Sequence, residues 1–220
     1  MCFNPTASLI AFSIGFISWI ILLYLKLYNS SIIVIYLTIM QILEYFAHVS
    51  IINKDNNTNI ITSKLIFIFA LIQPILYYIS TLLTKGKYYF KNANKYLFLL
   101  PCYLLFLVIF YFYLNSKNVI KTTYLNNTCN NICRLSWDFF GYNKIFTIIA
   151  FIFYIVICLI FWKKYALAYY AQVLILISLV YTLFLSRDIK SMLSIFGSIW
   201  CFLAITYGPL VILHHYIYFK

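Results

Sequence analysis

Long apolar runs with almost no charged residues recur along this 220-residue chain, and they limit its fold more than any other feature. A bilayer core is about 30 Å thick, and a helix needs roughly 17 to 25 apolar residues to cross it. Because lipid cannot satisfy bare backbone groups, and because the runs do not alternate as barrel strands do, each run predicts a helix. We therefore predict an all-α polytopic membrane protein, a bundle of about seven transmembrane helices. The runs extend over Ser8–Leu25, Ile32–Ile52, Leu65–Leu83, Tyr96–Leu114, Ile145–Trp162, Tyr165–Leu185 and Leu193–Tyr218.

The composition agrees with a chain that is surrounded mostly by lipid. Apolar residues make up 65% of it and charged residues 9%, whereas about a quarter of the residues of a soluble protein are charged. The expected partner is therefore the lipid bilayer. The formal net charge is +12, but the basic residues stand singly or in small groups between the apolar runs. That distribution is typical of loop signals that orient membrane helices, so we do not expect nucleic-acid binding.

Residues 1–220 are predicted to form a single transmembrane domain with one polar extramembrane loop at about residues 115–144. With about seven spans, this loop lies on the same side as the N-terminus and the turn around Asn56, opposite the lysines from Lys85 to Lys95. Basic residues in short loops favour the cytoplasm. We thus expect an extracellular or lumenal N-terminus and a cytoplasmic C-terminus. No basic segment precedes the first run, which predicts an anchoring helix and not a cleaved signal peptide.

Three of the six cysteines lie outside the apolar runs, on the face predicted to be extracellular or lumenal. In an oxidising compartment a disulfide could join two of Cys2, Cys129 and Cys133, and one thiol would be left over. The spacing of Cys129 and Cys133, without a second pair or a nearby histidine, is a weak zinc signal. We predict neither a metal nor a cofactor.

The second run carries the most informative polar residues of the chain. Spacings of three, three and four place Thr38, Gln41, Glu44 and His48 on one helical face. A carboxyl group in the membrane interior costs at least a few kcal/mol unless it is paired, neutralised or hydrated, so Glu44 is expected to face the bundle interior. Such groups often mark sites for ions, protons or substrates. The alternative is that Glu44 only hydrogen-bonds across helices and holds the bundle together.

The seventh run contributes Ser198 and Trp200 as further candidate binding residues. Pro209 removes a backbone donor there and predicts a kink. His214 and His215 are adjacent, so their side chains point about 100° apart and do not form a shared metal site. An intramembrane metal-dependent hydrolase would need a further acidic ligand within a span, and this chain offers no matching Asp.

The opening residues Met1–Ser8 and the Q-x-x-E element at Gln41–Glu44 resemble an uncharacterised multi-pass membrane family of bacteria, algae and large DNA viruses. Members of that family begin with an MCFSA-like motif and carry the Q-x-x-E element in the second helix. Asn4 stands here where the family has Ser, and His48 stands near its usual Trp. The resemblance implies that Cys2 and the Q-x-x-E element do more than pack.

Three functional hypotheses follow from these residues. The first is a membrane protein that binds or transports a small solute, ion or proton through an interior polar site. The others are an intramembrane metal-dependent hydrolase and a structural or interaction protein of a cellular or viral membrane. The sequence leaves the oligomeric state open, and it favours a non-enzymatic role over catalysis.

Overall fold

The computed structural model describes residues 4–85, 97–124, 135–162, 168–185, 196–197, 199–200 and 203–218. The fold of these residues is predominantly helical, as the sequence predicted. One small sheet of two strands interrupts the helices. The elements in chain order are α1 (Pro5–Tyr24), α2 (Tyr28–Ile52), α3 (Asn56–Lys85), α4 (Leu99–Ser116), β1 (Thr122–Tyr124), β2 (Leu135–Trp137), α5 (Asp138–Tyr142), α6 (Lys144–Trp162), α7 (Ala168–Leu185) and α8 (Tyr207–Tyr218).

Helices α1 and α2 form a tight antiparallel pair. Helix α1 begins at Pro5, whose missing N–H is harmless in a first turn, and the Asn4 side chain accepts a hydrogen bond from the Ala7 amide at 2.7 Å. At the other end Lys26 adopts a left-handed backbone with φ 59°. Its amide bonds to Leu23 O, and the next amide bonds to Leu22 O, which closes the helix as a Schellman motif. The chain then turns directly into α2.

Helix α3 begins well before the predicted Leu65, at Asn56. The cause is the side chain of Asp55, which accepts hydrogen bonds from the Asn57 and Thr58 amides at 3.1 Å and from the Thr58 hydroxyl at 2.6 Å. These bonds satisfy amides that the first turn of a helix leaves unpaired. A polar turn that resembles a loop in sequence is thus the start of a long helix.

The capping carboxylate of Asp55 gives α3 a pH-dependent start. The pKa of Asp55 is lowered below its ordinary value of 3.8, and the main cause is the hydrogen bond from the Thr58 hydroxyl. A carboxyl group with a lowered pKa in the folded state stabilises the fold at pH values above its unfolded-state pKa. This stabilisation is lost as the pH falls through the folded-state pKa. We expect Asp55→Asn, which keeps a capping oxygen, to be less stable than wild type at pH 7 and equal to it in strong acid. Unfolding in a denaturing detergent at several pH values measures this difference, and a gap that does not narrow in acid would contradict the prediction.

Residues 115–144 are only partly the polar loop that was predicted. The described part contains β1 and β2, which pair antiparallel with Thr122 opposite Trp137, and the short helix α5. Trp137, Phe139 and Phe140 are buried, and the Phe139 ring meets Phe67 of α3 edge-on at a centroid distance of 5.4 Å. Short apolar sequences cannot reveal such burial, because their partners lie far away in the chain. The extramembrane position of this segment stays a prediction.

The seventh predicted run is broken where a kink was expected. The described residues before α8 end in a turn at Ile205 and Thr206, and α8 itself spans Tyr207–Tyr218. Pro209 therefore lies in the first turn of a helix, where its missing donor leaves no helical hydrogen bond unmade. The proline coincides with a break in the helix and not with a bend inside it.

Among the described residues, four helices are long and apolar enough to cross a membrane, by length and composition. They are α1, α2, the Asn56–Leu76 part of α3, and α4, and the described residues also include shorter apolar helices at Lys144–Ile157 and Val173–Phe184. Large apolar side chains project outward from the bundle, among them Ile17, Leu105 and Ile152. These features are compatible with an integral membrane protein whose outer surface meets lipid. The number of about seven spans and the orientation of the termini stay predictions.

Candidate functional site

The four polar residues that the sequence placed on one face of α2 are all fully buried. Thr38, Gln41, Glu44 and His48 each have a solvent-exposed fraction of 0%. They lie within the part of α2 that is long and apolar enough to cross a membrane. We name them the α2 polar row. Glu44 faces the interior, as expected, while its role in binding stays a prediction.

Small residues of α1 cover this row. A methyl group added at Gly15 would overlap with Thr38 Oγ1 and Ile205 Cδ1, so the backbone of α1 lies directly against α2. One turn further along α1, a methyl group at Gly208 of α8 would lie 2.8 Å from Ser18 Cβ and 3.3 Å from Val34 Cγ1. Three helices thus meet closely around one end of the row, as is common where small residues line membrane helix interfaces.

Ser8 is the α1 residue that helical geometry leads us to expect level with Glu44. Gly15 contacts Thr38 of the antiparallel helix, and Ser8 lies two helical turns before Gly15, as Glu44 and Tyr45 lie about two turns after Thr38. Ser8 is fully buried, and its hydroxyl has no hydrogen-bond partner among the described residues. Buried polar groups nearly always have a partner, so an unsatisfied one marks a place where water or a ligand can bind.

The row continues towards the small sheet through Tyr124 of β1. The Tyr124 hydroxyl lies 3.2 Å from His48 Nδ1, and the two rings lie 5.6 Å apart. Burial raises the pKa of the Tyr124 phenol. Because its ordinary pKa is already near 10, the group keeps its proton at neutral pH and can donate or accept a hydrogen bond.

Asn59 fixes β1 in this position. Its side-chain amide donates to Thr122 O at 3.1 Å and to Thr122 Oγ1 at 3.0 Å, and its carbonyl oxygen accepts from the Thr122 amide at 3.2 Å. The same amide donates to Ser50 Oγ of α2 at 3.3 Å. The turn between α2 and α3 therefore lies against the small sheet, while the side of the membrane on which both lie stays a prediction.

Between this turn and the sheet lies an open cavity of about 340 Å³, which we name the turn pocket. Its wall combines α2, α3 and β1, and Tyr124 joins it to the α2 polar row. The pocket is lined by Ser50, Ile51, Lys54, Asn56, Asn59, Lys121, Thr122, Thr123 and Tyr124. Except for Ile51, each of these side chains carries a polar or charged group.

Trp200 belongs to a different cluster, one that sequence reasoning did not find. Its indole Nε1 donates to Gln73 Oε1 at 2.9 Å, and the Tyr154 hydroxyl donates to the same oxygen at 2.8 Å. Trp200 and Tyr154 line an apolar cavity of about 210 Å³, together with Trp137. The signal that was available is Gln73 itself, a polar residue within an apolar run next to Pro74.

The other candidate residues lie outside the part of the chain that the structure describes. These are Ser198 and the disulfide candidates Cys2, Cys129 and Cys133. Within the described part, no group of three or more His, Cys, Asp or Glu residues is placed to hold a metal ion. The ring of His214 lies 4.6 Å from that of Tyr218, tilted by 36°.

No family model matches this chain, and neither a curated protein nor a solved structure is significantly similar to it.

Proposed function

We propose that the protein binds or moves a small solute, ion or proton through a polar site centred on Glu44. The observation that supports this most directly is the complete burial of a carboxyl group in an apolar helix long enough to cross a membrane. Intramembrane carboxyls of this kind are costly, and they commonly serve ion, proton or substrate sites. Gln41, one turn away, would act as an orienting hydrogen-bond donor.

Polar side chains follow one another from Glu44 towards the open turn pocket. His48 follows Glu44 by four residues, a rise of about 6 Å along α2. Its ring meets Tyr124, and Tyr124 lines the open turn pocket. Each of these side chains can both accept and donate a hydrogen bond, which is what the transfer of a proton or the passage of a polar solute requires.

Proton flux into vesicles containing the purified protein tests this function. We expect wild type to show a pH-dependent flux and Glu44→Gln to show roughly tenfold less, because one charge-assisted hydrogen bond contributes about 1.5–3 kcal/mol. The pH dependence should also flatten, since Gln does not titrate.

Asp55→Asn is the matched control, because it removes a carboxylate from the exposed turn and leaves the α2 polar row intact. Its flux should equal that of wild type. If wild type and Glu44→Gln gave equal flux at every pH, Glu44 would not carry the proposed activity.

A packing role for the α2 polar row is the second candidate, and the close approach of Gly15 to Thr38 favours it. In that case the row would hold α1 and α2 together without binding any ligand. A lower unfolding free energy of Glu44→Leu, together with no pH-dependent flux in wild type, would support this second function. The resemblance to the uncharacterised membrane family stays a proposal as well, and it would give the Q-x-x-E element a role beyond packing.

A further inference from the structure

The turn pocket contains two cationic side chains and no acidic one. Lys54, in the turn between α2 and α3, and Lys121, just before β1, both line it. Neither lysine forms an ion pair with any residue that the structure describes. The remaining polar lining residues are neutral hydrogen-bonding groups, among them the Asn56 amide and the Tyr124 phenol. A pocket with this lining has the charge and the donors to hold an anion.

Two carboxylates adjoin the pocket without lining it, and both accept hydrogen bonds from other groups. Asp55 accepts its hydrogen bonds from Asn57 and Thr58 at the start of α3. Asp138 accepts from Thr123 at 2.8 Å and from Ser136 at 3.1 Å. Neither carboxylate lines the pocket, so neither occupies the place where an anion would sit between the lysines.

We propose that the turn pocket binds an oxyanion, a phosphate or carboxylate group, between Lys54 and Lys121. Ammonium groups bind phosphate as point charges, and neutral donors around them fix its orientation. Any role of this binding in transport rests on the proposed function, because Tyr124 both lines the pocket and contacts His48 of the α2 polar row. Binding in the pocket itself needs no contribution from Glu44.

The oxyanion has two possible sources with the same chemistry. One is a small anionic solute that enters the pocket from water. The other is the phosphate of a membrane lipid, because a lipid headgroup presents the same oxyanion to lysines at the end of a membrane helix. The pocket lies at the end of α2 and the start of α3, where either source can reach it.

The backbone of Lys54 allows a closely matched test. Lys54 has a left-handed backbone with φ 57°, and the amides of Lys54 and Asp55 bond to Ile51 O and Ser50 O. This is the same Schellman position that Lys26 occupies at the end of α1. Glycine is the preferred residue there. Lys54→Gly and Lys26→Gly thus relieve the same backbone conformation, but only Lys54→Gly removes a charge from the pocket.

Thermal unfolding of the full chain in a phosphate-free detergent, with sodium phosphate or with chloride at equal ionic strength, measures this binding. We expect both glycine variants to melt about 2 °C above wild type in chloride. Phosphate should raise the melting temperature of wild type and Lys26→Gly. In Lys54→Gly and Lys121→Gln the apparent Kd for phosphate should be roughly tenfold higher. Lys117→Gln, which removes an exposed charge outside the pocket, should behave as wild type.

A second arm replaces inorganic phosphate with short-chain phosphatidylglycerol, with phosphatidylcholine as the uncharged reference. Stabilisation by phosphatidylglycerol alone, lost in Lys54→Gly and kept in Lys26→Gly, would assign the pocket to a lipid headgroup. If neither ligand stabilised wild type, or if Lys54→Gly responded as Lys26→Gly does, the proposal would be overturned. Glu44→Gln should keep its phosphate response, so a failed flux experiment and a failed binding experiment remain distinguishable.

Discussion

Replacing Gly15 by valine is expected to separate α1 from α2 and to cost about 3 kcal/mol of unfolding free energy or more. Even a methyl group at this position would overlap with Thr38 Oγ1 and Ile205 Cδ1. The Ile205 contact can relax, because it is the flexible end of a side chain. The Thr38 hydroxyl cannot move freely, since it donates to Val34 O at 2.7 Å. The backbones themselves must move apart, which removes the close packing on which membrane helix pairs depend.

Ser13→Val provides the control for this prediction. It places the same valine side chain on the exposed face of α1, and we expect almost no effect on unfolding in a denaturing detergent. Gly15→Ala combined with Thr38→Ala should be more stable than Gly15→Ala alone, because the clashing hydroxyl is gone. Equal stability of Gly15→Val and Ser13→Val would show that α1 does not approach α2 as described.

Truncation of Trp137 to alanine should cost about 3–5 kcal/mol, the usual range for a large aromatic side chain in a core. Trp137 is fully buried, and its benzo ring lies where a methyl group on Gly197 would be. It stacks on Phe139 at a ring distance of 6.0 Å and lines the apolar cavity beside Trp200. Its removal therefore enlarges an existing cavity, which neighbouring side chains cannot easily fill.

Two variants separate the packing of Trp137 from its polar group. The indole Nε1 has no hydrogen-bond partner among the described residues, so Trp137→Phe should lose volume but no hydrogen bond and should cost clearly less than Trp137→Ala. Tyr142→Ala, at an exposed position in the same segment, should cost little. A loss of less than about 1 kcal/mol for Trp137→Ala would contradict the burial of this segment.

Features that depend on neighbouring residues in sequence were predictable. The apolar runs identified the four long helices, because an apolar stretch of this length has few other stable conformations. Helical periodicity identified the face that carries Glu44, and the cost of a carboxyl in lipid predicted that this face turns inward. Both arguments need only local sequence and one physical rule.

Features that depend on tertiary contacts were not predictable. One partner of His48 is Tyr124, which lies far along the chain in a strand that pairs with β2 and is hydrogen-bonded to Asn59. Trp200 was grouped with Glu44 because both were expected in the interior, but its donor bonds to Gln73 of α3. The start of α3 was not predicted, because Asp55 can cap the helix only after the turn at Lys54 has formed, and no sequence pattern indicated that turn.

The very short turn between α1 and α2 has a consequence for how the protein enters a membrane. With Gln41, Glu44 and His48 in its middle, α2 is poorly suited to partition into lipid by itself, whereas α1 has no charged residue and a higher mean hydropathy, 2.1 against 1.8. The turn leaves only residues 25–27 between α1 and α2. We therefore expect α1 and α2 to insert into the membrane together as one helical hairpin. In this hairpin α1 would shield the Glu44 carboxyl of α2 from the lipid acyl chains.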